Sequence, residues 1–116
     1  MSEEKRIVKS YEEEMQSLND DLVKMGSLTE SQLSDTIQAI VKIDKEAAEN
    51  IVKNDAQINE LRAKIDDQIS TVLVKRAPMA IDLRTTISSL KISHDLERIG
   101  DLAKSVAKKI EPLPID

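Results

Sequence analysis

Apolar residues recur at three- and four-residue steps through the first third of the chain: Tyr11, Met15, Leu18, Leu22 and Met25, then Leu33, Ile37, Ile40 and Val41, set among acidic and amide side chains. That is the period of an α-helix, and the alternation of a half-buried strand does not occur. The pattern predicts helix over about 3–43. Gly26-Ser27 can end a helix, and Thr29-Glu30-Ser31-Gln32 has the form of a capping box that can start another, so this segment is either one kinked helix or two. Asp44 reads as the N-cap of the next helix, and Glu46 in its first turn suits the positive end of the macrodipole. That helix covers about 44–76, with the stripe Ile51, Ile58, Leu61, Ile65, Ile69 and Val72 and with Lys75-Arg76 at its C-terminal end. Pro78 follows at once, and so short a link folds the third helix, about 78–110, back antiparallel. Pro112 and Pro114 end it, leaving 111–116 as a tail or the start of a linker. At 1.5 Å per residue the second and third helices are each about 45–50 Å long. The fold class expected is all-α: an elongated antiparallel three-helix bundle, one domain over 1–116.

Composition then narrows the function. A chain of 116 residues can build one core, and two Gly with three Pro cannot supply the turns of a many-stranded β-fold. Without cysteine there is neither a disulfide framework nor a thiolate metal site. A net charge of −5, one Tyr and no Phe or Trp exclude a nucleic-acid footprint and base-stacking platforms. No apolar run approaches the ~20 residues of a membrane span, and Met1-Ser2-Glu3-Glu4-Lys5-Arg6 lacks an apolar signal core. The chain is therefore expected to be soluble and intracellular, and its acidity argues against direct contact with anionic lipid. Serine, cysteine and P-loop chemistry lack their motifs, so no enzyme is expected.

The candidate chemistry lies in the third helix, where the apolar stripe moves. Leu83, Ile87 and Leu90 share one face, whereas Leu96, Ile99, Ala103, Val106 and Ile110 lie roughly half a turn away. Glu97 and Asp101 are four apart, on a face opposite the later stripe and hence near the bundle surface. Like charges so placed repel, and a cation reverses that repulsion; oxygen-only donors suit Mg²⁺, Mn²⁺ or iron. Two carboxylates are too few, so a second helix must contribute. Glu97 lies 19 residues beyond Pro78 and Asn59 lies 18 before Ala77, while Asp101 and Asp55 lie 23 and 22 residues away. Equal rise brings Asp55 and Asn59 level with Asp101 and Glu97. A metal site of Asp55, Asn59, Glu97 and Asp101 is thus one expectation; solvated surface acids, like Asp20-Asp21, are the other. His94 precedes Glu97 by three and reads as a solvent-facing or hydrogen-bonded side chain, and Arg98 as a surface charge. Asp82 and Arg84 read as a helix-start acid and a salt-bridging partner, Met15, Met25 and Met79 as core filler, and Tyr11 as packed on the bundle. Gly100 inside a helix costs roughly 1 kcal/mol against Ala, so a neighbour is expected to pack closely there.

Asp95-Leu96-Glu97-Arg98-Ile99-Gly100-Asp101-Leu102-Ala103 resembles the signature of the PhoU family of phosphate-uptake regulators. Lys24-Met25-Gly26, Gln32-Leu33-Ser34-Asp35, Ile65-Asp66, Lys75-Arg76-Ala77-Pro78 and Ile81-Asp82-Leu83-Arg84 extend the likeness over essentially the whole sequence. The resemblance implies a three-helix bundle whose E/D-xxx-D motifs bind multinuclear iron or another metal such as manganese, zinc or magnesium. Glu97-xxx-Asp101 matches fully, and Asp55-xxx-Asn59 matches with Asn in place of the final acid. It also implies one of two tandem repeats, most like the first: either part of a two-repeat chain or a single-repeat member that dimerises. The role implied is a cytoplasmic adaptor, peripheral to the inner membrane through protein partners, linking a phosphate ABC transporter ATPase to a sensor histidine kinase and keeping phosphate-starvation genes off.

Two other classes compete. A metal-free helical interaction module would use its apolar stripes to dock partner helices. A di-metal oxidase needs Glu-x-x-His pairs on two helices, whereas the single His here gives His94-x-x-Glu97, in the reverse order. A lone repeat should also expose apolar surface and self-associate as a homo-oligomer.

Overall fold

The computed structural model describes residues 2–76 and 80–114, with side chains from Leu83 onward in the last segment. The Ala77-Pro78 link, the expected helix start at Pro78, Met79 as core filler and the Asp82 side chain lie outside the described residues. Three helices make up the fold, α1 (Glu3–Lys42), α2 (Lys45–Arg76) and α3 (Ala80–Ile110). Each packs against the other two, giving a rod of 70 × 23 × 16 Å. No strand occurs among the described residues.

Ser2 caps α1 by accepting from the Lys5 N–H, with Glu3 and Glu4 in the first turn. The helix then runs unbroken through Gly26, so of the two readings the single helix is the one found. The residues that spell a capping box are core residues instead. Thr29 is buried and donates its hydroxyl to the Met25 carbonyl at 2.8 Å, and the buried Gln32 is turned toward the other two helices. α1 ends with Ile43 in the left-handed region at φ 49°, where the Asp44 N–H reaches the Ala39 carbonyl at 2.9 Å and the Ile43 N–H reaches Ile40 at 3.2 Å. This is a Schellman closure built on a β-branched residue, a conformation that costs about 1–2 kcal/mol for any L side chain. Asp44 then caps α2 as expected, accepting from the Ala47 N–H at 3.0 Å.

The core is divided. Leu18 and Met25 of α1 pack with Ile58, Leu61, Ile65 and Ile69 of α2, and Met15, Leu22, Leu90 and Leu96 press against them. Nearer the α1–α2 turn, Ala39, Ala48, Ile51, Ala107 and Ile110 form a second cluster. The expected α2 stripe is buried throughout. The stripes of the other two helices are met in part: Leu18 and Met25 with Met15 and Leu22 on α1, and Ala103 and Ile110 with Leu90 and Leu96 on α3, reach the core, and the rest do not. Leu33, Ile37, Ile40 and Val41 are exposed, as are Leu83, Ile87, Ile99 and Val106. α3 buries Thr86, Ser89, Ser93, Gly100, Ala103, Ala107 and Ile110, a three-four spacing of mostly small residues interrupted once, between Ser93 and Gly100, where the half-buried Leu96 stands. Ser93 donates to the Leu90 carbonyl and Ser89 to the Thr85 carbonyl, so these hydroxyls enter the core already satisfied by their own helix.

Close approach explains Gly100. A Cβ there would lie 3.2 Å from Ile58 Cδ1 and 3.6 Å from Asp55 Oδ1, whereas a Cβ on Gly26 meets nothing within 4 Å. The two glycines should respond oppositely. Gly26→Ala should stabilise by about 0.5–1 kcal/mol through helix propensity, and Gly100→Leu should destabilise by about 1–3 kcal/mol through overpacking, both read from urea unfolding. At the far end Arg76 forks onto Glu14 of α1 at 2.7 and 3.1 Å, and these hydrogen bonds hold the Glu14 carboxyl below its ordinary 4.5. A depressed folded value means stabilisation that is present above the unfolded value and is lost as pH falls through the folded one. The stability deficit of Arg76→Ala should therefore be largest at neutral pH and shrink on titration to about pH 2.

Candidate functional site

Between the two apolar clusters lies a polar level to which all three helices contribute. Gln32 of α1 donates one amide hydrogen to Asp55 Oδ1 of α2 at 2.9 Å and the other to the Gly100 carbonyl of α3, also at 2.9 Å. Asp55 is only 1% exposed. Its second oxygen accepts from Asn59 Nδ2 at 3.3 Å and sits 3.6 Å from Lys104 Nζ. Hydrogen bonds and the nearby ammonium offset the cost of burying this carboxylate. It stands beside the turn Gly100–Lys104, within about three residues of the height counted from the sequence, and points into the bundle and not along the surface.

Glu97 occupies the α2-facing edge of α3 and is half-buried, whereas Ile99 and Val106 of the stripe expected to be core opposite it are exposed. Both its oxygens accept from Arg62 Nη1, at 2.9 and 3.0 Å. Arg62 Nη2 lies 3.2 Å from His94 Nε2, and Asp66 stands 3.6 Å from Arg62 Nε and 3.8 Å from His94. Arg62 is thus the hub of a four-residue polar cluster. Asp101, one turn beyond Glu97, is exposed.

The four expected ligands are therefore only partly gathered. Asp55 and Asn59 are bonded to each other; Glu97 is separated from them by the Arg62 fork; Asp101 faces solvent. Among the described residues no three His, Cys, Asp or Glu side chains come together in a way that could hold a metal ion. The side chains that sequence reasoning missed are Arg62, Gln32 and Lys104. Arg62 stands level with Glu97 where Asn59 was counted, because the contacts run about three residues further along α2 than the count from the turn gives. Gln32 carried a signal: it falls on the buried three-four spacing of α1, where an amide has to find partners in the core. Asp20-Asp21 also divides differently from the expectation of a solvated pair. Asp20 accepts from Gln16 at the surface, but Asp21 is buried against Lys64 Nζ at 3.1 Å. His94 and Arg98 lie as expected, the first hydrogen-bonded and the second exposed beside Asp95 at 3.8 Å.

Three long helices pinned by one buried polar level and edged with ion pairs define an elongated all-α bundle. The model described as "PhoU domain" matches residues 22–110, and the chain belongs to the PhoU family. A phosphate-specific transport system accessory protein PhoU homolog of Caulobacter vibrioides is 40% identical over 102 residues, covering 88% of this chain and 44% of that protein. The protein described in the same words from Xylella fastidiosa is 39% identical over 114 residues, covering 93% and 47%. Among solved structures, the crystal structure of PhoU from Pseudomonas aeruginosa aligns with a TM-score of 0.85 at 37% identity, covering 87% of this chain and 48% of that one. The chain spans a little under half the length of the relatives it matches.

Asp55 gives the sharpest test of the polar level. Asp55→Ala strands the Gln32 amide and should cost about 1–3 kcal/mol. Asp55→Asn keeps an acceptor for Gln32 and should cost measurably less, as urea midpoints of the two variants would show.

Proposed function

We propose that this chain is a regulatory accessory module of phosphate transport. In this reading the rod links a phosphate ABC transporter, through its ATPase, to a sensor histidine kinase and keeps phosphate-starvation signalling off when phosphate is plentiful. It works in the cytoplasm, held at the inner membrane by its protein partners, and it is regulatory, not catalytic. The observation that supports the reading is family membership across 22–110, joined to relatives described as phosphate-specific transport system accessory proteins. Because those relatives are about twice as long, their partners and role are part of the proposal. No helix among the described residues is long and apolar enough to cross a membrane, which agrees with contact through proteins.

The carboxylate metal site belongs to the same proposal in a narrower form. Asp101 is open to a cation and Glu97, one turn away, is held by Arg62; iron, manganese, zinc or magnesium would suit or tolerate such donors. Asp55 and Asn59 would have to leave the bonds they make inside the bundle to join them, and Arg62 would have to release Glu97. The Arg62 fork favours a second reading, a metal-free interaction module in which a guanidinium already neutralises the signature acid.

Elemental analysis of wild type beside Glu97→Ala/Asp101→Ala, together with capture of the purified transporter ATPase and kinase with and without chelator, separates these readings. Near-integer metal that is lost in the variant, with capture that chelation abolishes, is the outcome expected of the metal-dependent adaptor. Capture indifferent to chelator, with no metal in either protein, selects the metal-free module. Failure to bind either partner overturns the adaptor reading itself.

A further inference from the structure

One guanidinium holds together the α2–α3 edge around Glu97. Arg62 turns each of its three nitrogens to a different partner: Nη1 to both oxygens of Glu97 at 2.9 and 3.0 Å, Nη2 to His94 Nε2 at 3.2 Å, and Nε toward Asp66 Oδ2 at 3.6 Å. A guanidinium only donates, so His94 meets it with an unprotonated Nε2. A neutral imidazole nitrogen with its lone pair free is also what ligates a metal. Two carboxylates and an imidazole therefore converge on a single cationic group, Asp66 from α2 and His94 and Glu97 from α3. These are the donors of a three-ligand zinc site that keeps water in its fourth place, and the nitrogen sets them apart from an all-oxygen group. With Arg62 among them, the three do not form a set that could hold an ion.

The guanidinium fills this place incompletely. One positive charge faces two carboxylates, and both Arg62 Nε and Asp66 Oδ1 are buried without a hydrogen-bond partner. Asp66 Oδ1 stands 3.8 Å from His94 Nε2, so two acceptor atoms face each other with no donor between them. Ligands held about 2.0–2.2 Å from one ion lie roughly 3–3.5 Å apart. These two atoms are close to that spacing, while a flat fork aimed at Glu97 does not reach between them. The Asp66 and His94 side chains are 36% and 43% exposed, which leaves the edge within reach of dissolved ions. Against them Arg62 is a strong competitor, because it never loses its charge and its tether keeps it at hand.

We propose that Arg62 gates a latent site for a divalent transition ion of the zinc kind, with Asp66, His94 and Glu97 as donors: the guanidinium keeps the site closed, and an ion enters only as Arg62 swings out. The proposal deepens the metal reading of Glu97, from which it starts, by changing the donor set and the ion class; the transporter and the kinase play no part in it. Zinc titration of the full chain by calorimetry, wild type beside Arg62→Gln, tests it. Arg62→Gln should bind one Zn²⁺ about tenfold or more tightly than wild type, and adding His94→Ala should cancel the gain. Mg²⁺, which prefers oxygen donors, should not compete. His94 is the single histidine of the chain, so its ring resonances report the site directly. They should shift at equimolar Zn²⁺ in Arg62→Gln and only at far higher zinc in wild type. Should loss of the fork unfold that variant, Arg62→Lys, which keeps the charge but cannot fork, carries the same comparison with a smaller gain. Wild type that holds no metal while the variant does supports the gate even as the metal-dependent adaptor fails, so the two readings are separable. Equal affinities in wild type and variant, or no zinc bound by a folded variant, overturn the gate. A gain that survives His94→Ala overturns the donor set.

Discussion

Gln32 uses both of its amide hydrogens inside the bundle, one on the Asp55 carboxylate and one on the Gly100 carbonyl, and the relative height of all three helices depends on this. Apolar seams with a three-four spacing interdigitate nearly as well after a slip of one repeat, whereas a buried carboxylate has its partners at one height only. A slip would leave Asp55, Gln32 and a helix carbonyl desolvated together, a penalty of several kcal/mol. Buried polar groups that set register at some expense in stability are best attested in coiled coils, and the level here has the same geometry. The apolar clusters above and below it, around Met25 and Ile65 on one side and Ala39 and Ile110 on the other, are aligned by it. Gly100 is part of the device, since Ile58 fills the space where a side chain would begin.

The same constraint shaped what could be read from the sequence. α2 was legible residue by residue because its core face is a run of isoleucine, leucine and valine at helical spacing, and its start was legible because Asp44 makes the bond its type predicts. α1 and α3 were legible as helices, and their core faces only in part: Leu18 and Met25 of α1 and Ala103 and Ile110 of α3 are buried as the spacing implies, but Leu33, Ile37, Ile99 and Val106 are not. Their core positions carry Thr29, Gln32 and Thr36, or Thr86, Ser89 and Ser93, and hydropathy assigns such residues to the outside. What overrides hydropathy is the local hydrogen bond. A threonine or serine hydroxyl that donates to a carbonyl three or four residues back enters the core with little polar debt, and its small bulk suits a close helix approach.

At the candidate site, the height of the Asp55 level and the outward edge of Glu97 and Asp101 were legible from spacing alone. The direction of Asp55 and the identity of the side chain facing Glu97 were not. A count from the turn fixed height along the axis here only to within about three residues, and residues three apart share one face of a helix about 4.5 Å apart along it. That is enough to replace Asn59 by Arg62 opposite Glu97, and with it a neutral amide by a guanidinium. The chemistry of the edge changes accordingly, from an acid pair open to a cation to an acid already neutralised within the fold.

Burying small and polar residues has a second consequence on the outside. The chain is 40% apolar, yet alanine, serine and threonine fill much of the three-four seam of α1 and α3, so large aliphatic side chains are displaced to the flanks. Leu33 and Ile37 on α1 and Ile99 and Leu102 on α3 stand where a self-sufficient bundle would carry lysine or glutamate. A rod only 16 Å across in its thinnest direction cannot fold these flanks inward without prying apart the level that Gln32 holds. The close approach that lets one glutamine reach both neighbours is therefore the same feature that leaves large aliphatic side chains exposed on the flanks of α1 and α3. In this protein the tight seam and the apolar flanks are two results of a single choice of residue size along those helices.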